Sequence, residues 1–418
     1  MTKGPKTIKI LLRLGLLFGF LALGFWFYFS FFGIGTENVM VEKTPAGGYR
    51  LLVNGRPYLI KGVCYNPAPV GVGYDYELGK DKNKPWLADG ELMREAGVNT
   101  IRLYTPGTDA AGLKEAISDL YRRYGIRTIL GHWLGFWEYP QPDYCNPEFR
   151  EKVKRDVLDM VRSYKDEAGI LFWLLGNENN YSFSGRINPW NCPQAEGRGV
   201  KEKIDIKART YYSFVNELAA EIHKIDPNHP VAMGNGELLY LDTAARLCPD
   251  VDIIGSLVYR GRTFGNIFNY LKKVFDRPLV FIEFGADAYN SFTGKEDEKM
   301  QAFFLQAQWK EIFENSAFGS RGDEGNCLGG VVFEWTDEWW KHEPDNRVGW
   351  NRHDTGAGWS NGSYYLDIKA EKNMNMNEEW FGIVGVSDKV EDGINKRRPR
   401  QAYYTLQGFW KKAGGEKK

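Results

Sequence analysis

Eight short apolar runs, strung over roughly 280 residues and separated by amphipathic stretches, restrict this chain more than any other feature. They are Tyr58–Tyr65, Thr100–Tyr104, Arg127–Trp133, Ile170–Leu175, Pro230–Gly234, Asp252–Tyr259, Pro278–Gly285 and Gly329–Trp335. Each run is continuous rather than alternating, the pattern of a strand covered on both faces. Between them, Trp86–Ala96, Leu113–Tyr124, Glu148–Lys165, Ala208–Ile225 and Lys299–Asn315 carry apolar residues at helical spacing. Repeated strand–helix units of this kind predict an α/β fold, a (β/α)₈ TIM barrel. A doubly wound open sheet has the same local pattern, but no G-x-G-x-x-G follows the first run, which weakens its dinucleotide-binding form. Ahead of the barrel, "GGYRLLVNGRPY" predicts a β-hairpin turning at Asn54-Gly55 and placed to close the barrel bottom.

The N-terminus is the sharpest change in composition. Lys3, Lys6, Lys9 and Arg13 precede Leu14 to Thr36, 23 residues without a charge. That length can cross a bilayer as a helix. The aromatics from Phe25 to Phe32 suit the far interface, and the basic flank is expected to stay cytoplasmic. The reading is a single transmembrane signal anchor, with the remaining chain periplasmic or extracellular. A cleaved signal peptide is the alternative, although no small-x-small cleavage site is obvious. The division that follows is anchor over 1–36, linker and hairpin over 37–57, barrel over 58–412 and a charged tail over 413–418. Lys+Arg and Asp+Glu balance at 54 each, so no basic field exists to attract nucleic acid. The five cysteines form no C-x-x-C pair. Cys145 and Cys192, both in loop-like stretches, are the first choice for a disulfide, and five reduced thiols are the alternative.

In a (β/α)₈ barrel the chemistry sits at the C-terminal ends of the strands. Those ends supply Asn66, then Arg102 with Tyr104, His132 with Trp133, Asn177 with Glu178, Asn235, Tyr259 and Glu283. The eighth supplies Glu334 and Trp335, with Asp337 and Glu338 just beyond. One acid at a strand end is ordinarily solvated or ion-paired. Two, on the fourth and seventh strands, face each other across the mouth and suit glycoside hydrolysis. One protonates the leaving oxygen while the other attacks the anomeric carbon or activates water. His132 and Trp133 are further lining candidates, as is Glu334.

"GNEN" (Gly176–Asn179) and "IEFG" (Ile282–Gly285) resemble the strand-four and strand-seven motifs of the retaining (β/α)₈ glycoside hydrolase clan that includes families 2, 5 and 72. "NGRPYLIKGVCYN", "MREAGVNTIRLY", "GGVVFEWTDEWW" and "RPRQAYYTLQGFW" resemble family 2 barrels and, in part, the family 72 glucanosyltransferases. The likeness runs from about Gly48 to Trp410. It implies that Glu178 is the acid/base, that Glu283 is the nucleophile, and that Asn177 binds the sugar 2-hydroxyl. It further implies that Arg102 and Tyr259 hold the nucleophile, that Trp335 floors the first subsite, and that the carboxyls stand about 5–5.5 Å apart. Family 2 enzymes usually carry β-sandwich domains before the barrel. Here only the anchor and hairpin precede it, which argues against exo-acting release.

The expectation is a membrane-anchored, retaining β-glycoside hydrolase or transglycosylase acting on a β-linked, glucan-like poly- or oligosaccharide. It requires no cofactor and no metal. Its partners would be that carbohydrate, the membrane through the N-terminal helix, and membrane glycan-synthesis machinery. A non-catalytic carbohydrate-binding protein on a degenerate barrel is the alternative, and it would be expected to lack one of the two acids. A metal-dependent hydrolase needs His and Asp at strand ends, where only His132 qualifies. His342, His353, Asp337 and Asp345 have no ligand spacing.

Overall fold

The computed structural model describes residues 37–135, 142–185, 187–290, 293–341, 346–355 and 377–413. The expected anchor over 1–36 lies outside them. Among the described residues no helix is long and apolar enough to cross a membrane.

Eight parallel strands close into a barrel: β1 (Ile60–Cys64), β2 (Thr100–Leu103), β3 (Arg127–His132), β4 (Ile170–Leu175), β5 (Val231–Gly236), β6 (Ile253–Leu257), β7 (Leu279–Phe284) and β8 (Cys327–Val332). They neighbour one another in chain order, and β8 returns to β1 with Gly329 opposite Ile60 and Val332 opposite Val63. A helix follows each strand: α1 (Trp86–Ala96), α2 (Ala110–Tyr124), α3 (Pro147–Tyr164), α4 (Val200–Ile225), α5 (Leu241–Leu247), α6 (Ile267–Val274), α7 (Glu298–Glu314) and α8 (Gln401–Ala413). The expected barrel is present in full.

The continuous apolar runs serve two layers at once. Ile129, Leu171, Leu174, Val280 and Val331 belong to the barrel-interior cluster, whereas Leu103, Leu130, Trp173, Phe281 and Val332 pack with the helices. Helix starts are fixed locally, by Asp109 accepting from Gly112 N, Asn146 from Glu148 N and Asp297 from Met300 N.

The hairpin turns as expected, with φ of 51° at Asn54 and 76° at Gly55, the paired left-handed residues of a type I′ turn. It gains a third strand, Val39–Lys43, to make a small antiparallel sheet with Tyr49–Val53 and Arg56–Tyr58. Tyr58, expected to begin the first barrel strand, pairs instead with Leu51 in this sheet. The sheet caps the bottom. Val39 N donates to Asn228 O, Tyr49 N to Gly325 O, and Arg127 grips Glu37 at 2.7 and 2.8 Å, all next to strand N-termini.

The C-terminal segment is tied to the top by buried charge. Arg397 reaches both oxygens of Asp89 on α1 at 2.8 and 3.0 Å, and Arg400 reaches both oxygens of Asp337 at 2.6 and 2.7 Å. Asp337, just beyond the eighth run, is thus occupied by the Arg400 guanidinium. Cys145 and Cys192 form a disulfide, as chosen from the sequence, while Cys64, Cys248 and Cys327 are buried thiols.

Candidate active site

β4 delivers its acid through a tight turn. Gly176 has φ 78°, and a Cβ there would collide with Tyr211 Oη and Asn179 Oδ1, so the strand must end in glycine. The amides beyond are structural. Asn179 accepts from Asn177 N and donates to Trp133 O and Tyr144 Oη, and Asn180 exchanges two hydrogen bonds with the Gly236 backbone. Together they fix the peptide that carries Glu178.

Glu283, at the end of β7, is held by three donors. Arg102 Nη1 lies 2.8 Å and Tyr104 Oη 2.7 Å from Oε1, and Tyr259 Oη lies 3.0 Å from Oε2. Arg102 is 1% and Glu283 6% exposed, so this is a buried ion pair with two further donors on the carboxylate. The other Arg102 amine donates to Asn177 Oδ1, and among the described residues Asn177 Nδ2 has no partner. Burial above all, and the nearby Glu283 carboxylate, push the Tyr104 and Tyr259 phenols well above their usual range, so both remain protonated donors.

Glu178 stands in the opposite environment. Its half-buried carboxyl has no hydrogen-bond partner among the described residues. Burial first, then the Glu283 and Glu378 carboxylates, raise its pKa from the usual 4.5 to about 8. One carboxyl is surrounded by donors and the other is left bare.

The remaining candidates distribute unevenly. Asn66 donates to Glu338 at 2.8 Å. Trp133 is half-buried and stacks on Tyr104, centroids 5.0 Å apart. His132 is buried, accepts from Leu134 N through Nδ1, and is held neutral by burial, with a pKa of about 4. Glu334 is buried beneath the eighth strand's loop, and burial, then Glu338, raise its pKa well above the carboxylate range. Trp335 is not a floor. It is fully buried on the helix side, beside Tyr403 of α8, because β8 ends at Val332 and Trp335 N bonds to Cys64 O. Trp339 and Trp340 are half-buried, while Trp137, His342 and Asp345 lie outside the described residues. Among the described residues no group of three or more side chains could hold a metal. His353 stacks between Trp339 and Trp380.

Tyr104, a strand-end candidate with no role assigned to it, donates to Glu283 beside Arg102. Two residues of the site were not chosen from the sequence. Lys341 and Glu378 come from the long segment after β8, whose length and Gly, Asn, Trp and Asp content suit a functional loop but single out neither residue. Lys341 Nζ lies 3.0 Å from Glu338 and 3.6 Å from Glu378.

No protein-family profile matches the chain, and no curated protein matches it. Solved structures do. A β-glucuronidase of Bacteroides uniformis is similar at 16% identity with a TM-score of 0.56, over 89% of this chain and 37% of its own. Bacteroides uniformis β-glucuronidase 2, covalently bound to cyclophellitol-6-carboxylate aziridine, gives 16% and 0.57 over 90% and 37%. A GH2 β-galacturonidase from Eisenbergiella tayi bound to galacturonate gives 17% and 0.53 over 90% and 54%. What they share with this chain is the fold. The sequence resemblance to the (β/α)₈ glycoside hydrolases is thereby matched at the level of architecture. The chain spans about a third to a half of these neighbours' length.

Proposed function

We propose that this chain is a retaining β-glycosidase in which Glu283 is the nucleophile and Glu178 the acid/base. The observation that carries the reading is the contrast between the two carboxyls. A nucleophile must be aimed, and three donors on Glu283 fix both its oxygens. A general acid must keep its proton near neutral pH, and Glu178 is raised for that role by burial and by Glu283 itself. As Glu283 attacks the anomeric carbon, its charge passes into the ester. The main Coulombic cause of the raised Glu178 pKa then disappears, and Glu178 can take the proton from the incoming water or sugar hydroxyl. Asn177 Nδ2, next to Arg102, supports a role in binding the 2-hydroxyl.

The neighbours' names point to β-linked glycosides, and the half-buried Trp133, Trp339 and Trp340 suit stacking on sugar faces. A β-linked, glucan-like oligosaccharide or polysaccharide is the substrate class we favour. Hydrolysis and transfer share the glycosyl-enzyme and differ only in the acceptor. Anchoring by residues 14–36 with an extracytoplasmic barrel belongs to the same proposal. The Cys145–Cys192 disulfide supports an oxidising compartment. The test is trapping with 2-deoxy-2-fluoro glycosyl fluorides followed by peptide mass mapping. A sugar ester on Glu283, absent in Glu283→Gln, is expected; an ester elsewhere, or conversion of substrate to the inverted anomer, would refute the assignment.

A further inference from the structure

We propose that Glu338, Lys341 and Glu378 form a subsite that reads the hydroxyls of a neutral sugar beside the nucleophile, with Glu334 buried beneath it. This rests on the glycosidase reading.

The three side chains form a row in which acceptor, donor and acceptor alternate. Lys341 Nζ lies 3.0 Å from Glu338 Oε2 and 3.6 Å from Glu378 Oε2. Asn66, at the end of β1, donates to the other Glu338 oxygen at 2.8 Å. The row is adjacent to the chemistry. Lys341 Nζ sits 5.5 Å from the Phe333 ring centroid, and Phe333 meets Tyr259 edge-on at 6.2 Å. Tyr259 in turn donates to Glu283.

Acids around a lysine are not by themselves a site. The second observation is Glu334, 1% exposed, whose Oε1 has no hydrogen-bond partner among the described residues. Glu338 and Glu378 add to burial in raising its pKa and Lys341 opposes them, so it belongs to the same cluster. Buried polar atoms are almost always satisfied, and an orphan at a barrel mouth points to a partner from outside the protein. Burial keeps a proton on Glu334, so it offers an O–H as well as an acceptor.

A sugar hydroxyl both donates and accepts, and two vicinal hydroxyls match an acceptor–donor–acceptor row. A uronate carboxylate does not match. It would approach an ammonium already flanked by two carboxylates and would leave them repelled and desolvated. The row therefore selects a neutral glycone, in contrast to the uronides named for the solved neighbours.

The full chain would be assayed on 4-nitrophenyl β-D-glucoside, β-D-galactoside, β-D-mannoside and β-D-glucuronide. A neutral glycoside is expected to be preferred over the glucuronide by about tenfold or more in kcat/KM, the usual loss when a charged group is left unpaired. Preference for the glucuronide overturns the subsite while leaving the glycosidase reading intact. No turnover of any of the four, with no adduct on Glu283, overturns both. On the preferred glycoside, at least one monodeoxy analogue should lose about tenfold with the unmodified protein. Glu338→Gln, Glu378→Gln and Lys341→Met should lower kcat/KM for the parent mainly through KM, and lower it far less for that analogue. Equal losses on parent and analogue, or no sensitive monodeoxy position, would show that the row is structural and overturn the proposal.

Discussion

Replacing Glu178 by Gln should make the protein more stable, and increasingly so as pH rises. Glu178 has no hydrogen-bond partner among the described residues, so the amide orphans nothing, and it removes a carboxylate that the fold holds in a hostile place. The sign follows from linkage. The folded pKa of about 8 exceeds the usual 4.5, so between those values the native state binds more protons than the unfolded chain. Stability from this group is therefore intact below pH 4.5, erodes as pH rises, and is gone above about 8. At about 1.4 kcal/mol per pKa unit the full difference approaches 5 kcal/mol. Water at the open mouth reduces it, so a gain of about 2–5 kcal/mol for the variant at pH 9 is the working figure. At pH 5 the two proteins should differ little. Urea unfolding at both pH values supplies the measurement without any substrate. A stability difference that is the same at pH 5 and pH 9 would refute the claim that Glu178 is held protonated by its surroundings.

Tyr104→Phe and Tyr259→Phe each remove one charge-assisted hydrogen bond to Glu283, worth about 1.5–3 kcal/mol, and should lower kcat roughly 10- to 100-fold with circular dichroism unchanged. Arg400→Met leaves Asp337 buried without its cation and should cost about 3–5 kcal/mol in urea unfolding, much of it recovered by adding Asp337→Asn. Cys145→Ser with Cys192→Ser opens a loop of sequence separation 47, and the chain-entropy relation gives a loss of about 4 kcal/mol, read by the same unfolding assay.

The barrel was legible because parallel strands covered on both faces cannot alternate. β4 is six buried residues in a row, and its ends were read to the residue. The helices that escaped notice are α5, α6 and α8. α5 has seven residues and α6 eight, too short for a periodic stripe, and α5 opens at Tyr240 with φ 61° rather than at a capping side chain. Strand ends located Glu178, Glu283, Arg102 and Tyr259 because position along a strand is local information. Trp335 failed for the converse reason. The resemblance made it the strand-eight aromatic, but the strand stops three residues earlier and the chain turns the indole toward α8. Glu378 could not be found at all, since it reaches the cluster across 45 positions (378 − 333) from Phe333, and only tertiary packing specifies that approach.

The pairing of Arg400 with Asp337 also sets an order of events during synthesis. Glu178 and Glu283 leave the ribosome well before the segment that carries Glu378, and the cation that pairs with Asp337 follows 63 residues later. Nascent chains shorter than about 400 residues therefore expose an unpaired acid where the last wall of the barrel belongs. A chain cut before Arg400 should contain both carboxyls yet leave Asp337 buried without its cation.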